Sequence, residues 1–153
     1  MKQDLIKIDY PGDCISVNHY LGRRRGGGYY VKQEARDWME EFQWLLKRCH
    51  IVDYKLPLEI ICSGYFKDER SAPDLSNLSK VILDSIEEVT GINDQAFRWR
   101  DGKRIIGVKE PFLLITIKEG DTKPISDALQ SMRKLLKIKS NGKLHAKKIN
   151  KKN

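Results

Sequence analysis

Apolar residues recur at the three- and four-residue spacing of an amphipathic helix in two parts of the chain. The first stripe, within residues 33–49, comprises Ala35, Trp38, Met39, Phe42, Leu45, Leu46 and Cys49. The second, within residues 75–89, comprises Leu78, Ile82, Ile86 and Val89. Gly91 follows it, and glycine commonly ends a helix in the left-handed conformation. Both stripes predict helices that bury one face in a core.

Other segments have the alternation or the β-branched composition of strands. The strongest of them are residues 4–9, 56–66 and 112–119. Residues 14–20 favour a short strand or an extended loop, and residues 95–109 are compatible with a hairpin that turns at Asp101-Gly102. Two helices with four to five strands indicate an α+β fold, in which a small sheet is covered by the two main helices.

The end of the chain has a different composition. Pro124 stands where the first turn of a last helix is expected, and apolar residues continue beyond it at helical spacing. After Ser140 the sequence is rich in lysine and asparagine, which is typical of a disordered segment. We therefore predict a folded domain over residues 1–120, a C-terminal helix over 121–139 and a basic tail over 140–153.

The net charge of +8 is concentrated in this end of the chain. Residues 121–153 hold 10 of the 29 basic and 2 of the 21 acidic side chains, which leaves 19 of each in residues 1–120. A basic segment binds phosphate polymers in a salt-dependent way. A disordered segment that only keeps the protein soluble has the same composition, and the charge alone favours neither interpretation.

The composition argues against several classes of protein. No apolar run approaches the roughly 20 residues that span a bilayer, and the N-terminus has no signal-peptide pattern, so no membrane partner is expected. Cys14, Cys49 and Cys62 are odd in number and lack C-x-x-C spacing, which indicates reduced thiols in an intracellular protein. The three histidines are too scattered for a zinc site.

Polar residues around the second predicted helix allow two interpretations. They are Asp74 before the helix, the seam Asn77, Lys80 and Asp84 on its polar side, and Asn93-Asp94 after it. In the first interpretation they are a helix cap, an i,i+4 ion pair and a turn. In the second, carboxylates hold a metal ion beside a lysine. Spacing alone favours the first, because motifs this short often match by chance.

Residues 22–30, GRRRGGGYY, place three arginines beside three glycines and two tyrosines. The glycines carry a large ordering cost, so this segment predicts a mobile, basic surface loop.

The order of these residues resembles the RusA family of Holliday junction resolvases. The family carries D-x-D-N-L-x-K-x-x-x-D-x-L and then D-D near the next strand; here D-L-S-N-L-S-K-x-x-x-D begins at Asp74 and N-D-Q begins at Asn93. Residues 15–38 are similar to the family's N-terminal segment, in which P-S-x-N is followed by a basic, glycine-containing loop and the first helix. The resemblance covers about residues 4–119 and implies a mixed sheet.

This resemblance implies a dimeric, Mg²⁺-dependent endonuclease that cuts four-way DNA junctions, with Mn²⁺ as a possible substitute. It is expected to be cytoplasmic and nucleoid-associated, as a bacterial or phage-type protein. The implied catalytic residues are Asp74, Lys80 and Asp94, and the implied metal ligands are Asp74 and Asp94, with Ser76, Asn93 and Asp84 as further candidates. The expected nucleic-acid contacts are Asn18, Arg23, Arg24, Arg25, Asn77, Arg98 and Arg100.

For a junction-binding protein, Gly26–Gly28 would allow the backbone to approach a phosphate closely. Tyr29, Tyr30 and Phe97 are candidates for stacking at the open centre of the junction, although packing within the protein is at least as common for tyrosine.

Two departures from the family pattern remove expected carboxylates. Ser76 stands where the second aspartate is expected, and Asn93 stands where the first of the D-D pair often lies. Nearby Asp68, Glu69 and Asp84 are candidate substitutes. The alternative function is therefore a junction- or DNA-binding protein of the same fold with weakened catalysis.

The length of the second predicted helix affects whether Asp74 and Asp94 can lie close together. A helix over residues 75–89 is about 22 Å long, with Asp74 at its start and Asp94 beyond its end. An unbroken helix keeps them apart within one chain. We therefore predict composite sites in a homodimer, with Asp74 and Lys80 from one subunit and Asp94 from the other, unless the helix breaks early.

Overall fold

The computed structural model describes residues 2–120, residue 132 and residues 134–136. The chain divides into two units, Met1–Gly120 and Asp121–Asn153. The first unit contains, in chain order, β1 (Gln3–Asp9), β2 (Leu21–Arg23), β3 (Tyr29–Val31), α1 (Gln33–Lys47), β4 (Leu58–Phe66), α2 (Ser79–Thr90), β5 (Phe97–Ile106) and β6 (Phe112–Glu119). The described helices are all too short or too polar to cross a membrane.

The main sheet has the strand order β1-β6-β4-β5. Strand β6 runs antiparallel to both β1 and β4, whereas β4 and β5 are parallel. Parallel neighbours need a crossover connection, and the segment that contains α2 provides it. The sheet is therefore mixed, and the predicted α+β fold is confirmed. Strands β2 and β3 form a separate two-stranded hairpin.

One face of the main sheet forms the core with the two helices. Along β4 every second side chain is buried, from Leu58 to Phe66, and β6 repeats this alternation. Helices α1 and α2 bury their predicted stripes against that face. Arg36 forms a two-bond ion pair with Glu88, at 3.1 Å for each oxygen, and so links α1 to α2 at the surface.

The opposite face of the sheet is more exposed. Tyr65 and Phe112 stack there with ring centroids 4.5 Å apart, and the Lys7 ammonium lies 4.4 Å from the Phe112 centroid. Leu5 is 61% exposed and Ile105 is 36% exposed. Within residues 2–120, both helices pack on the other side.

The hairpin predicted over residues 95–109 is wrong. Strand β5 is continuous and pairs with β4 throughout, with one irregularity between Cys62 and Gly64. There Gly102 and Lys103 stand opposite the single residue Ser63, which is a β-bulge. A side chain on Gly102 would meet Ser63 and approach the Cys62 carbonyl oxygen to 3.0 Å. Asp101-Gly102 therefore lies at a β-bulge and not at a turn, because both halves of β5 pair with β4 as a parallel neighbour.

Two loop predictions also need correction. Residues 14–20 form no strand and no extended loop; a 3₁₀ turn, Asp13–Ile15, and further turns occupy this region. Residues 22–30 form a hairpin and not a loop without regular structure, because β2 and β3 pair and Tyr30 packs across Gly22. The three glycines Gly26–Gly28 make the reversal, each with a positive φ.

The second predicted helix begins differently from the expectation. Leu75–Leu78 is a 3₁₀ turn, and the α-helix proper starts at Ser79. Gly91 ends it with φ 71° in the left-handed region, as predicted. The described residues of the predicted C-terminal helix, Met132 and 134–136, are helical. The rest of that helix and the predicted tail over 140–153 lie outside the described residues.

Candidate active site

Asp74 stands at the entrance to the 3₁₀ turn that precedes α2. It occupies the N-cap position, yet its carboxylate accepts no capping hydrogen bond. The residue is exposed, while the next one, Leu75, is buried. The carboxylate is therefore not used as the helix cap that the spacing favoured, and it faces solvent from a backbone that is anchored beside it.

The backbone just before Asp74 is held by an arginine of β5. The Arg104 guanidinium donates from Nε to the Pro73 carbonyl oxygen at 3.2 Å and from Nη2 to the Ala72 carbonyl oxygen at 3.0 Å. Its Nη1 atom bonds to the Glu69 carboxylate at 3.1 Å. The loop from β4 to Asp74 is thus tied to the neighbouring strand.

The predicted N-terminal motif packs directly against the predicted catalytic motif. The Val17 backbone N–H donates to the Asn77 carbonyl oxygen at 2.8 Å. Asn18 is exposed beside this contact, and the Lys32 N–H bonds to the Tyr20 carbonyl oxygen at 2.8 Å, which joins the base of the hairpin to the same region. Two motifs that are about sixty residues apart in sequence therefore form one surface.

Lys80 lies in the first turn of α2 and points along the helix. Its ammonium forms an ion pair with Asp84 at 3.0 Å, as the i,i+4 spacing predicted. The pKa of Lys80 is raised above its usual value, chiefly by this hydrogen bond to Asp84, while partial burial opposes the shift. Tyr20 and Asp94 contribute smaller electrostatic effects that also raise it. The lysine therefore remains positively charged at neutral pH.

Asp94 lies in a tight turn between α2 and β5. The Asn93 side-chain oxygen accepts a hydrogen bond from the Gln95 N–H at 2.9 Å, so this residue caps the turn. Arg98 donates from Nη1 to the carbonyl oxygens of Gln95 and Phe97, at 2.7 and 3.1 Å. Asp94 itself is exposed.

The two aspartates lie toward opposite ends of the β4–β5 pair. The loop before Asp74 is bound to Arg104, whereas Asp94 precedes Phe97, so the two segments are separated by roughly 20 Å along β5. The helix did not break early to bring them together. Asp94 of the same chain is the smallest of the charges that raise the pKa of Lys80. The composite site, with Asp74 and Lys80 from one subunit and Asp94 from the other, stays a prediction.

The described residues of one chain do not fit a complete metal centre. Within residues 2–120 and the few described positions beyond, no three histidine, cysteine or acidic side chains are grouped in a way that would hold a metal ion. The candidate substitutes are engaged: Asp68 accepts from the Ser71 N–H at 2.8 Å, Glu69 binds Arg104 and Asp84 binds Lys80. None of these three carboxylates is free to join Asp74 without giving up its partner.

The β2–β3 hairpin presents its arginines to solvent. Arg23, Arg24 and Arg25 are exposed, and within the described residues none of their side chains forms a hydrogen bond or an ion pair. The Arg23 guanidinium lies 6.0 Å from the Tyr29 ring centroid. Tyr29 and Tyr30 are 61% and 45% exposed. Both charge and aromatic surface are therefore available to a ligand.

The arginines of β5 differ, because each has a partner in the protein. Arg100 forms an ion pair with Glu59 at 3.3 Å, and Arg98 and Arg104 bond to backbone carbonyl oxygens. Arg104 is not among the residues predicted from the sequence, which missed its structural contacts. No local signal identifies them, because they depend on which loop the fold places beside β5.

The fold and this surface define an α+β protein in which a basic hairpin adjoins an exposed aspartate and a charged lysine, an arrangement suited to a polyanion. The family described as Endodeoxyribonuclease RusA matches residues 11–118. The chain therefore belongs to the RusA endodeoxyribonuclease family, and the resemblance based on its motifs is confirmed. No curated protein matches the chain.

Proposed function

We propose that this protein is a metal-dependent endonuclease that cleaves Holliday junctions or other branched DNA, with residues 1–120 as the nuclease domain. The observation that supports this most strongly is the bond between Val17 and Asn77. It joins the N-terminal motif and the hairpin to the segment that carries Asp74 and Lys80. DNA bound by the hairpin would thus lie beside both residues.

In this proposal Lys80 exchanges its partner Asp84 for a DNA phosphate. An ammonium group near the scissile phosphate stabilises the negative charge that develops as water adds to phosphorus and the ester oxygen leaves. Asp74 supplies the exposed carboxylate at the start of α2, and Asp94 is the further acidic group near Lys80. The dependence of DNA cleavage on Mg²⁺ or Mn²⁺ is part of the proposal, since the described residues of one chain do not form a complete metal centre.

The hairpin is the proposed DNA-binding element. Arg23–Arg25 would neutralise phosphates, and the exposed Tyr29 and Tyr30 would stack at the open centre of a junction. Asn18 and Asn77 would contribute polar contacts at its base. Arg98 and Arg100, which the resemblance led us to expect as contacts, are bonded within the protein, and we propose that they contribute less to DNA binding than Arg23–Arg25. We further propose that the charge of residues 121–153 adds non-specific affinity.

We also propose that the protein acts as a homodimer with sites shared between subunits. The exposed sheet face with Leu5, Tyr65, Ile105 and Phe112 is the apolar surface that a second copy would cover. A two-fold dimer presents two equivalent sites, which matches the approximate two-fold symmetry of a four-way junction. It would also allow Asp74 of one subunit to meet an acidic group of the other.

A second candidate function is a junction-binding protein with weakened catalysis. Ser76 and Asn93 stand where acidic residues are expected, and the Asn93 side-chain oxygen caps the turn by accepting a hydrogen bond. With no acidic cluster in the described residues, metal binding would be weaker than in a chain that retains those carboxylates.

A cleavage assay separates the two candidates. A labelled four-way junction is incubated with the full chain in Mg²⁺, Mn²⁺ or EDTA, with a linear duplex of the same sequence as control. Paired, metal-dependent nicks in the junction that are lost in Asp74→Asn support the endonuclease. Tight junction binding without nicks supports the second function, and a gain of cleavage in Ser76→Asp would identify the missing acid. Equal binding to junction and duplex would contradict both.

A further inference from the structure

The side chain of Arg104 makes three bonds to the loop that leads into the catalytic motif. Two of them go to consecutive backbone carbonyls, those of Ala72 and Pro73, and the third goes to Glu69. Only 32% of the side chain is exposed. This loop uses three of the five guanidinium N–H donors, one on each nitrogen, so only two donors of Arg104 remain for another partner.

The position of Asp74 depends on its neighbours, because its own side chain makes no capping bond. On one side the Pro73 carbonyl is held by Arg104, and on the other Leu75 is buried. Leu75 packs over Gly64, where an added Cβ would approach Leu75 Cδ2 to 2.9 Å. Two anchors, one on either side of Asp74, therefore hold the backbone from which this otherwise unsupported carboxylate projects.

The β-bulge places Arg104 opposite this loop. Strand β5 accommodates its extra residue at Gly102, and the Lys103 N–H bonds to Ser63 Oγ at 3.0 Å. After the bulge Arg104 pairs with Gly64, the residue beneath Leu75. Without the extra residue every later side chain of β5 would shift by one position, which reverses its face.

We propose that Arg104 is a positioning residue that orients the Asp74 carboxylate for phosphodiester cleavage, and that it is not a DNA contact. The proposal rests on the proposed endonuclease function of the Asp74 site. It requires the planar, forked guanidinium, because an ammonium on a flexible stem cannot reproduce the paired bonds to two consecutive carbonyls.

The test compares Arg104→Lys and Arg104→Ala with wild type in full-length protein. Single-turnover cleavage of a four-way junction and junction affinity over a salt series are measured for each. We expect cleavage to slow about 10- to 100-fold in both variants, because small misplacements of a catalytic group have effects of this size. Junction affinity and its salt slope should stay unchanged. Added guanidinium ion should partly restore cleavage by Arg104→Ala, whereas equal sodium chloride should not.

Several results would overturn the proposal. Full activity in Arg104→Lys would mean that a positive charge at position 104 is sufficient for cleavage without the forked guanidinium. A salt slope lower by about 1 in Arg104→Ala would mark a phosphate contact. Lys109→Gln, an exposed residue outside the site, is the matched control and should behave as wild type.

Hydrogen exchange distinguishes failure of this proposal from failure of the proposed function. If wild type cleaves no junction, the endonuclease function fails, and exchange of residues 69–76 in Arg104→Lys decides the anchoring role. Faster exchange confined to that segment supports the anchor, and unchanged exchange overturns it.

Discussion

The arginines of the β2–β3 hairpin and those of β5 have the same side-chain chemistry, but they differ in whether they bond to other residues of the protein. Arg23–Arg25 project from a two-stranded element and have no partner among the described residues. Arg98, Arg100 and Arg104 lie on β5, an edge strand of the main sheet, and each is bonded to a carbonyl or a carboxylate of the protein. The first group is available to a ligand, whereas the second already contributes to the structure.

This difference shows why basic clusters in a sequence are weak indicators of a DNA contact. An arginine that neutralises a phosphate releases counterions, so its contribution depends on salt. An arginine that holds a loop or a strand contributes through the folded protein. The two groups should therefore respond differently to the same substitution.

The largest effect is expected from removing the hairpin charges. The triple variant Arg23→Gln, Arg24→Gln and Arg25→Gln should weaken junction binding on the order of 10- to 100-fold at moderate salt and lower the salt slope by about 3. Thermal unfolding should change little, since these side chains are exposed. Fluorescence anisotropy across a salt series measures both quantities. An unchanged salt slope would mean that the hairpin arginines do not neutralise phosphates and so do not differ from the β5 arginines in this respect.

A smaller effect is expected from β5. Arg100→Gln should lower the free energy of unfolding by only about 0–1 kcal/mol, because the Arg100 side chain is 62% exposed and Lys118 also contacts the Glu59 carboxylate. The salt slope of junction binding should match wild type. Chemical denaturation and the same anisotropy series provide the measurements. A slope lower by about 1 would show that Arg100 leaves Glu59 to bind phosphate.

The smallest effect concerns Lys80, which is paired but still charged. Its raised pKa means that the stabilising pair with Asp84 is fully present below the ordinary lysine pKa and is lost only as pH rises through the raised value. The ratio of junction affinities between wild type and Lys80→Gln should therefore be the same at about pH 6.5 and about pH 9. A ratio that falls by pH 9 would show that Lys80 loses its charge earlier.

Much of the fold followed from periodicity. The two helical stripes, the strong strands and Gly91 as a helix end all lie where the pattern predicted, because burial of one face imposes a regular spacing. The hairpin predicted at Asp101-Gly102 was wrong, because this pair of residues forms either a hairpin turn or a β-bulge, depending on which strand lies beside it. The hairpin at residues 21–31 was missed because its pairing depends on Tyr30 packing over Gly22.

The sequence by itself determined the family, the two helices, the strands of the mixed sheet and the identity of Asp74, Lys80 and Asp94 as candidates, because these depend on local spacing and residue order. Only the tertiary structure decided that Val17 binds Asn77 and that Arg104 holds the loop before Asp74. Those relations join residues that are distant in the chain. They exist only after the sheet has paired and the loops have been placed against it.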